Sequence, residues 1–190
     1  MKFPSGIELV LLFTSFIIGM RFPDWDFKLK IKHRNILTHS PIILWVMIYF
    51  YNRQSNSEVF EYFIIGFSLA MGIHLLFDFF PKGWAMGALI HFPVIDTSVG
   101  VRMSKMIIFF SSVYSFYLAI HYTQTIVVAY ILGALSLFTI FKNTVKEEKF
   151  FRPFITFLVV FLSLSGLKFP ELKKDIYTVS SKLASQINKK

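Results

Sequence analysis

The stretch Phe60–Phe80 restricts this chain more than any other part of it. Its residues are apolar or small apart from two tyrosine-type or hydroxyl side chains and three that carry charge, Glu61, His74 and Asp78. About 20 apolar residues carry a helix across a bilayer, so the stretch reads as one full crossing. Shorter apolar blocks accompany it at Gly6–Met20, Ile36–Tyr51, Lys105–Ile120, Thr125–Phe141 and Phe154–Leu167. They are apolar on every side rather than along one stripe, as suits helices surrounded by lipid. Ten-residue alternating strands of the membrane-barrel type are absent, which leaves helices to satisfy the backbone inside a bilayer. The expected fold is therefore all-α, a polytopic membrane helical bundle of about five or six helices, with the short blocks tilted, re-entrant or partly inserted.

Composition supports this and closes off other classes. Of 190 residues, 55% are hydrophobic and 16% charged, whereas a soluble domain carries about 25% charged residues. Twenty-four Phe, 8 Tyr and 3 Trp are incompatible with a disordered chain, which is poor in aromatics. There is no Cys, so disulfides, thiolate nucleophiles and Cys-type zinc sites are excluded, and any metal must be held by His and carboxylates. The first block contains Glu8 and is followed by Met20-Arg21-Phe22-Pro23-Asp24 instead of a small-residue cleavage site, so it reads as a retained helix. Residues 1–168 are expected to form one membrane-embedded domain, followed by a basic, polar tail at 169–190, a surface helix or a frayed end.

The net charge of +9 gives the domain its sides. With all six blocks crossing, one side holds the loops Arg21–Asn35, the segment after Phe80 and the segment after Phe141. That side carries Arg21, Lys28, Lys30, Lys32, Arg34, Lys82, Arg102, Lys105, Lys142, Lys146, Lys149 and Arg152. Opposite it stand Lys2, Arg53 and the six lysines from Lys168 onward. Because Lys and Arg near the early crossings dominate orientation, the first side reads as cytoplasmic. Nucleic acid is not expected as a partner, since these residues are scattered over several loops and no recognition motif is present.

The same side gathers the residues with chemistry. His74 and Asp78 are spaced i, i+4 and so share one helix face. An ionisable pair in a membrane segment is costly and marks a function or a buried partner. The first block ends, the second begins and the third ends on that side. Asp24, Asp26, His33, His39, His74 and Asp78 therefore fall at one face of the bundle. Three His and three Asp suit zinc, or manganese or iron, as one or two ions. His91 and Asp96, in the next loop, are further candidates, and His121 belongs to the opposite side.

These residues resemble the YdjM-like family of bacterial inner-membrane metal-dependent hydrolases. The likeness lies in Phe22-Pro23-Asp24-Trp25-Asp26, His33-Arg34…Thr38-His39-Ser40 and His74-x-x-x-Asp78, followed by Pro81-Lys82-Gly83, and covers about residues 5–95. Three residues separate Arg34 from Thr38 where the family pattern has two. The family's histidine near the start of the first helix is missing, with Glu8 in that neighbourhood. The resemblance implies a metal-activated hydrolase at the membrane surface, similar in outline to zinc-dependent phospholipase C-type enzymes.

The expected activity is hydrolysis of a phosphoester in a lipid or lipid-linked substrate at the cytoplasmic membrane face. The six His and Asp residues would be the ligands, with Asp24 or Asp26 free to act as base. Arg34 and Lys82 would pair with phosphate oxygens, and Thr38 and Ser40 would orient the imidazoles. The alternative is a non-enzymatic membrane protein, a scaffold with a structural metal site or a carrier. A carrier should hold ionisable residues in the middle of several helices, and the last three blocks have almost none.

Overall fold

A computed structural model describes residues 3–29, 31–53, 57–81, 83–84, 88–93, 97–147 and 151–187. Among them eight helices form and no strand: α1 Gly6–Arg21, α2 Trp25–Lys28, α3 Ile36–His39, α4 Ile42–Arg53, α5 Glu58–Asp78, α6 Val101–His121, α7 Ile126–Glu147 and α8 Phe151–Ile187. The fold is the expected all-α bundle. Four helices, α5 to α8, are long and apolar enough to cross a membrane. At 1.5 Å per residue, α1 and α4 reach roughly 24 Å and 18 Å, less than the hydrocarbon thickness of about 30 Å.

The block Ile36–Tyr51 is not one helix. Ser40 precedes Pro41 and adopts an extended conformation, φ −126° and ψ 171°, because the pyrrolidine ring excludes the α region from the residue before it. The break separates α3 from α4 and turns His39 inward at the end of α3. At the other end of the chain, α8 continues through Pro170 to Ile187, so the expected tail begins as an extension of a helix. Residues 188–190 lie outside the described residues, as do Lys30, Lys82 and Asp96.

Helix α5 is the axis of the bundle. Its residues from Ile64 to Ile73 are all buried, and neighbours approach it wherever side chains are small. α1 runs parallel to it, with Gly66 against the Leu12 carbonyl and Ser15, and Gly19 against Phe67 and Ala70. A Cβ at Gly19 would lie 2.5 Å from the Phe67 carbonyl oxygen, so only glycine permits this approach. α6 runs antiparallel, with Ser112 Oγ donating to the Gly72 carbonyl at 2.8 Å. Small residues and interhelical hydrogen bonds of this kind bind helices where lipid provides no hydrophobic drive between them.

Polar groups close both ends of this core. Ser5 and Glu8 form a capping box at the start of α1, a reciprocal pair that satisfies two otherwise free donors. Near the start of α5, buried Glu61 accepts from Tyr51 and Gln124, tying α4 and the α6–α7 turn to α5. The opposite end of α5 carries His74 and Asp78. The outward faces of α7 and α8 show large apolar side chains such as Tyr130, Phe138, Val159 and Leu162, an exposure suited to contact with lipid.

Candidate metal centre

The parallel course of α1 and α5 brings Met20 beside His74, and the chain after α1 then folds over the end of α5. α2 and α3 are single turns, too short to be stable alone, and are held by side chains. Asp26 is the first of these, fully buried. Its Oδ1 accepts from the Phe27 amide at 2.7 Å, and its Oδ2 accepts from the Arg34 amide at 2.7 Å and from His33 Nδ1 at 3.2 Å. Burial alone would push this carboxyl up. The hydrogen bond from His33, the imidazoles of His39 and His33 beside it and the Arg34 amide outweigh that and hold it below the ordinary carboxylate value.

Arg34 is the second. It is the one described non-glycine residue with a left-handed backbone, φ 58°, a conformation uncommon for a long side chain. Its amide is committed to Asp26, and its carbonyl accepts from the His91 amide at 3.0 Å. Its guanidinium donates to the Ala88 carbonyl at 2.8 Å and to Asp78 Oδ1 at 3.1 Å, with Trp84 against it at 5.9 Å. Strain of this kind persists only where surrounding contacts over-determine it. The guanidinium is buried behind Asp78, and two of its nitrogens are bonded to protein oxygens.

Each imidazole has its proton assigned by its neighbour. Thr38 Oγ1 donates to the Asn35 carbonyl at 3.1 Å, so its lone pair accepts from His39 Nδ1 at 2.9 Å. The Met20 carbonyl can only accept, so His74 Nδ1 carries the proton in their 3.0 Å contact. In the neutral rings the Nε2 lone pairs of His39 and His74 then face the same carboxylate oxygen, Asp78 Oδ2, at 3.2 and 3.4 Å. Asp24 adds Oδ1 at 3.7 Å from His74 Nε2.

Acceptors turned on one another repel unless a metal ion, or a proton on one of the imidazoles, lies among them. His39 Nε2 and Asp78 Oδ2 are buried and have no hydrogen-bond partner, as that conflict predicts. The separations also fit. Ligand bonds of about 2.0–2.1 Å in a tetrahedral zinc shell place adjacent donors roughly 3.3 Å apart. His39, His74 and Asp78 thus form a group able to hold a metal ion, and the opposite nitrogen of each imidazole is oriented as metal-bound histidines usually are. Asp24 is 54% exposed and makes no capping bond to α2, so apart from the His74 contact its carboxylate faces outward beside the group.

Asp26, His33 and His39 form a second such group, but it is closed by hydrogen bonds. Asp26 Oδ2 already accepts two donors, and His39 Nδ1 donates to Thr38. The six residues singled out in the sequence therefore converge, with three facing one point, Asp24 at its rim, and Asp26 and His33 bracing it from behind. Ser40 turns away and accepts from the Ile42 amide at 3.4 Å. His91 pairs through its backbone with Asn35 and Ser98 and belongs to neither group. His121 stacks on Tyr117 at the far end of the bundle.

Sequence reasoning did not find the Met20 carbonyl, because a backbone acceptor leaves no mark in residue identity. It also did not find the clasp of Arg34 on Asp78, whose only signal was their shared side of the bundle. No family model, curated protein or solved structure matches this chain.

Proposed function

We propose that the protein is a membrane-embedded, metal-dependent hydrolase. Its substrate is a phosphoester in a lipid or lipid-linked molecule, cleaved at the cytoplasmic face of a bacterial inner membrane, with zinc the metal that best suits two imidazoles and a carboxylate. The observation that carries this is the convergence of the His39 and His74 Nε2 atoms on Asp78 Oδ2, beside the half-exposed carboxylate of Asp24. The resemblance of residues 22–40 and 74–83 to the YdjM-like hydrolases, carried by the same His and Asp residues, is in keeping with this reading.

A divalent ion supplies Lewis acidity when bound, acidifying water and polarising a phosphoryl oxygen. The chain's own residues do the rest. Thr38 and Met20 keep the two lone pairs pointed inward. Arg34 fixes Asp78 through Oδ1 and leaves Oδ2 for the centre. Asp24, half-exposed beside this group, would be the carboxylate that takes a proton from water.

Two measurements test the proposal. Purified protein should carry stoichiometric metal, and the His74→Ala/Asp78→Ala double variant should carry almost none; equal metal in both sinks it. Asp24→Ala should keep the metal and lose at least about 100-fold in phosphoester hydrolysis, the scale of a missing general base.

A further inference from the structure

Among the described residues, grooves of three kinds run between helices on the outside of the bundle. The one between α4 and α6, with Trp45 and Tyr114 in its wall, has no charged lining residue. The one between α7 and α8 has Lys168, whose Nζ donates to the His121 carbonyl at 2.9 Å. The third lies between α1 and α7, holds about 420 Å³ and is built differently. Apolar walls from Phe13, Ile17, Leu135 and Phe138 lead to two cations, Arg21 and Lys142, at the end shared with the metal centre. No carboxylate lines it among the described residues, and neither cation has a hydrogen-bond or ion-pair partner among them.

Two unneutralised cations at one end of an apolar slot define the chemistry of what fits. A small hydrated anion would satisfy the cations and leave the slot unfilled. A neutral lipid would fill the slot and leave the cations unpaired. An anionic amphiphile does both. We propose that this groove binds one anionic phospholipid, its phosphate held between Arg21 and Lys142 and an acyl chain laid along Phe13, Ile17, Leu135 and Phe138.

Arg21 is the last residue of α1 and Lys142 lies in the last two turns of α7, near enough to the helix ends for long basic side chains to reach a membrane interface. Basic pockets between membrane helices recognise anionic headgroups, and a guanidinium pairs with phosphate oxygens through two parallel hydrogen bonds. The site is separate from the metal centre, because neither cation touches His39, His74 or Asp78. It is nonetheless adjacent to it: Met20 lines the groove and its carbonyl orients His74. A lipid seated there packs against the segment that fixes one metal-binding lone pair. Nothing in the proposal depends on hydrolysis.

The test is native mass spectrometry of the full chain in detergent, titrated with phosphatidylglycerol or with phosphatidylcholine of the same acyl chains. The wild type should retain one phosphatidylglycerol at about tenfold lower concentration than phosphatidylcholine, the scale of a charge-assisted contact. Arg21→Gln/Lys142→Gln should erase that preference, and Arg21→Lys/Lys142→Arg, which keeps both charges, should retain it. Equal affinity for the two lipids in the wild type, or an unchanged preference in the glutamine variant, overturns the proposal. So does displacement of the lipid by inorganic phosphate at matched concentration, because the apolar slot would then contribute nothing. A failure of the hydrolase proposal would leave these outcomes untouched.

Discussion

At the scale of single residues, the centre depends on which nitrogen of His39 carries the proton. The Thr38 hydroxyl spends its own hydrogen on the Asn35 carbonyl and can offer His39 only a lone pair. Replacing Thr38 with Val keeps the shape and removes that acceptor. The ring then loses its preferred tautomer and orientation, and metal affinity should fall by about 10–100-fold, the usual effect of deleting an orienting partner. Competition with a chromophoric chelator measures it. Ser40→Ala is the control, since the Ser40 hydroxyl serves the Ile42 amide, and its affinity should equal the wild type's. An identical affinity in both variants would remove Thr38 from the centre. The Thr38-His39 contact was legible in the sequence as a hydroxyl next to a candidate ligand. The choice between the two metal-capable groups was not. It follows from Asp26 Oδ2 being occupied by the Arg34 amide, and this requires a left-handed Arg34 that no local pattern announces.

At the scale of elements, the centre exists because α1 lies closely along α5. Gly66 sits against the Leu12 carbonyl and Ser15 Oγ, with no space for a Cβ. Gly66→Val should force the helices apart, costing about 1–3 kcal/mol as overpacking does. It should also lower metal affinity, because Met20 moves away from His74. Thermal unfolding in detergent together with the chelator assay measures both effects. Gly133→Val on α7 meets nothing within 4 Å and should leave both unchanged. Equal behaviour of the two variants would show that close approach of α1 is not what positions Met20. Hydropathy alone located α1 and α5 and their common end, because the parity of crossings makes the first and third blocks parallel. It did not locate the break at Ser40-Pro41. Apolar side chains continue through that point, and the interruption is a matter of backbone conformation. It left the tail after Pro170 as a surface helix or a frayed end and did not show it continuous with α8, since a polar segment loses its hydropathic signal whether or not the helix ends.

At the scale of the whole molecule, charge and chemistry share one end. Arg21, Lys28, Lys32, Arg34, Arg102, Lys105, Lys142 and Arg152 lie on the segments that meet near Asp78, and Arg53 and Lys168 lie at the other end with Glu61 and His121. On the proposed topology, the excess of Lys and Arg in the early loops would place that end in the cytoplasm. The lysines of α8, Lys168, Lys173, Lys174 and Lys182, oppose this orientation, because the contact of Lys168 with the His121 carbonyl puts that part of α8 at the other end of the bundle. The two influences can be separated because the chain has no native cysteine, so one introduced thiol is the only site of labelling. Lys28→Cys, Asn143→Cys and Lys173→Cys would be treated in intact cells with a maleimide that does not cross the membrane holding the protein. Lys173→Cys should react from outside, whereas Lys28→Cys and Asn143→Cys should react only after the membrane is opened. The reverse pattern would put the tail lysines in control of orientation and the metal centre on the outer face. A substrate made in the cytoplasm would then lie out of its reach.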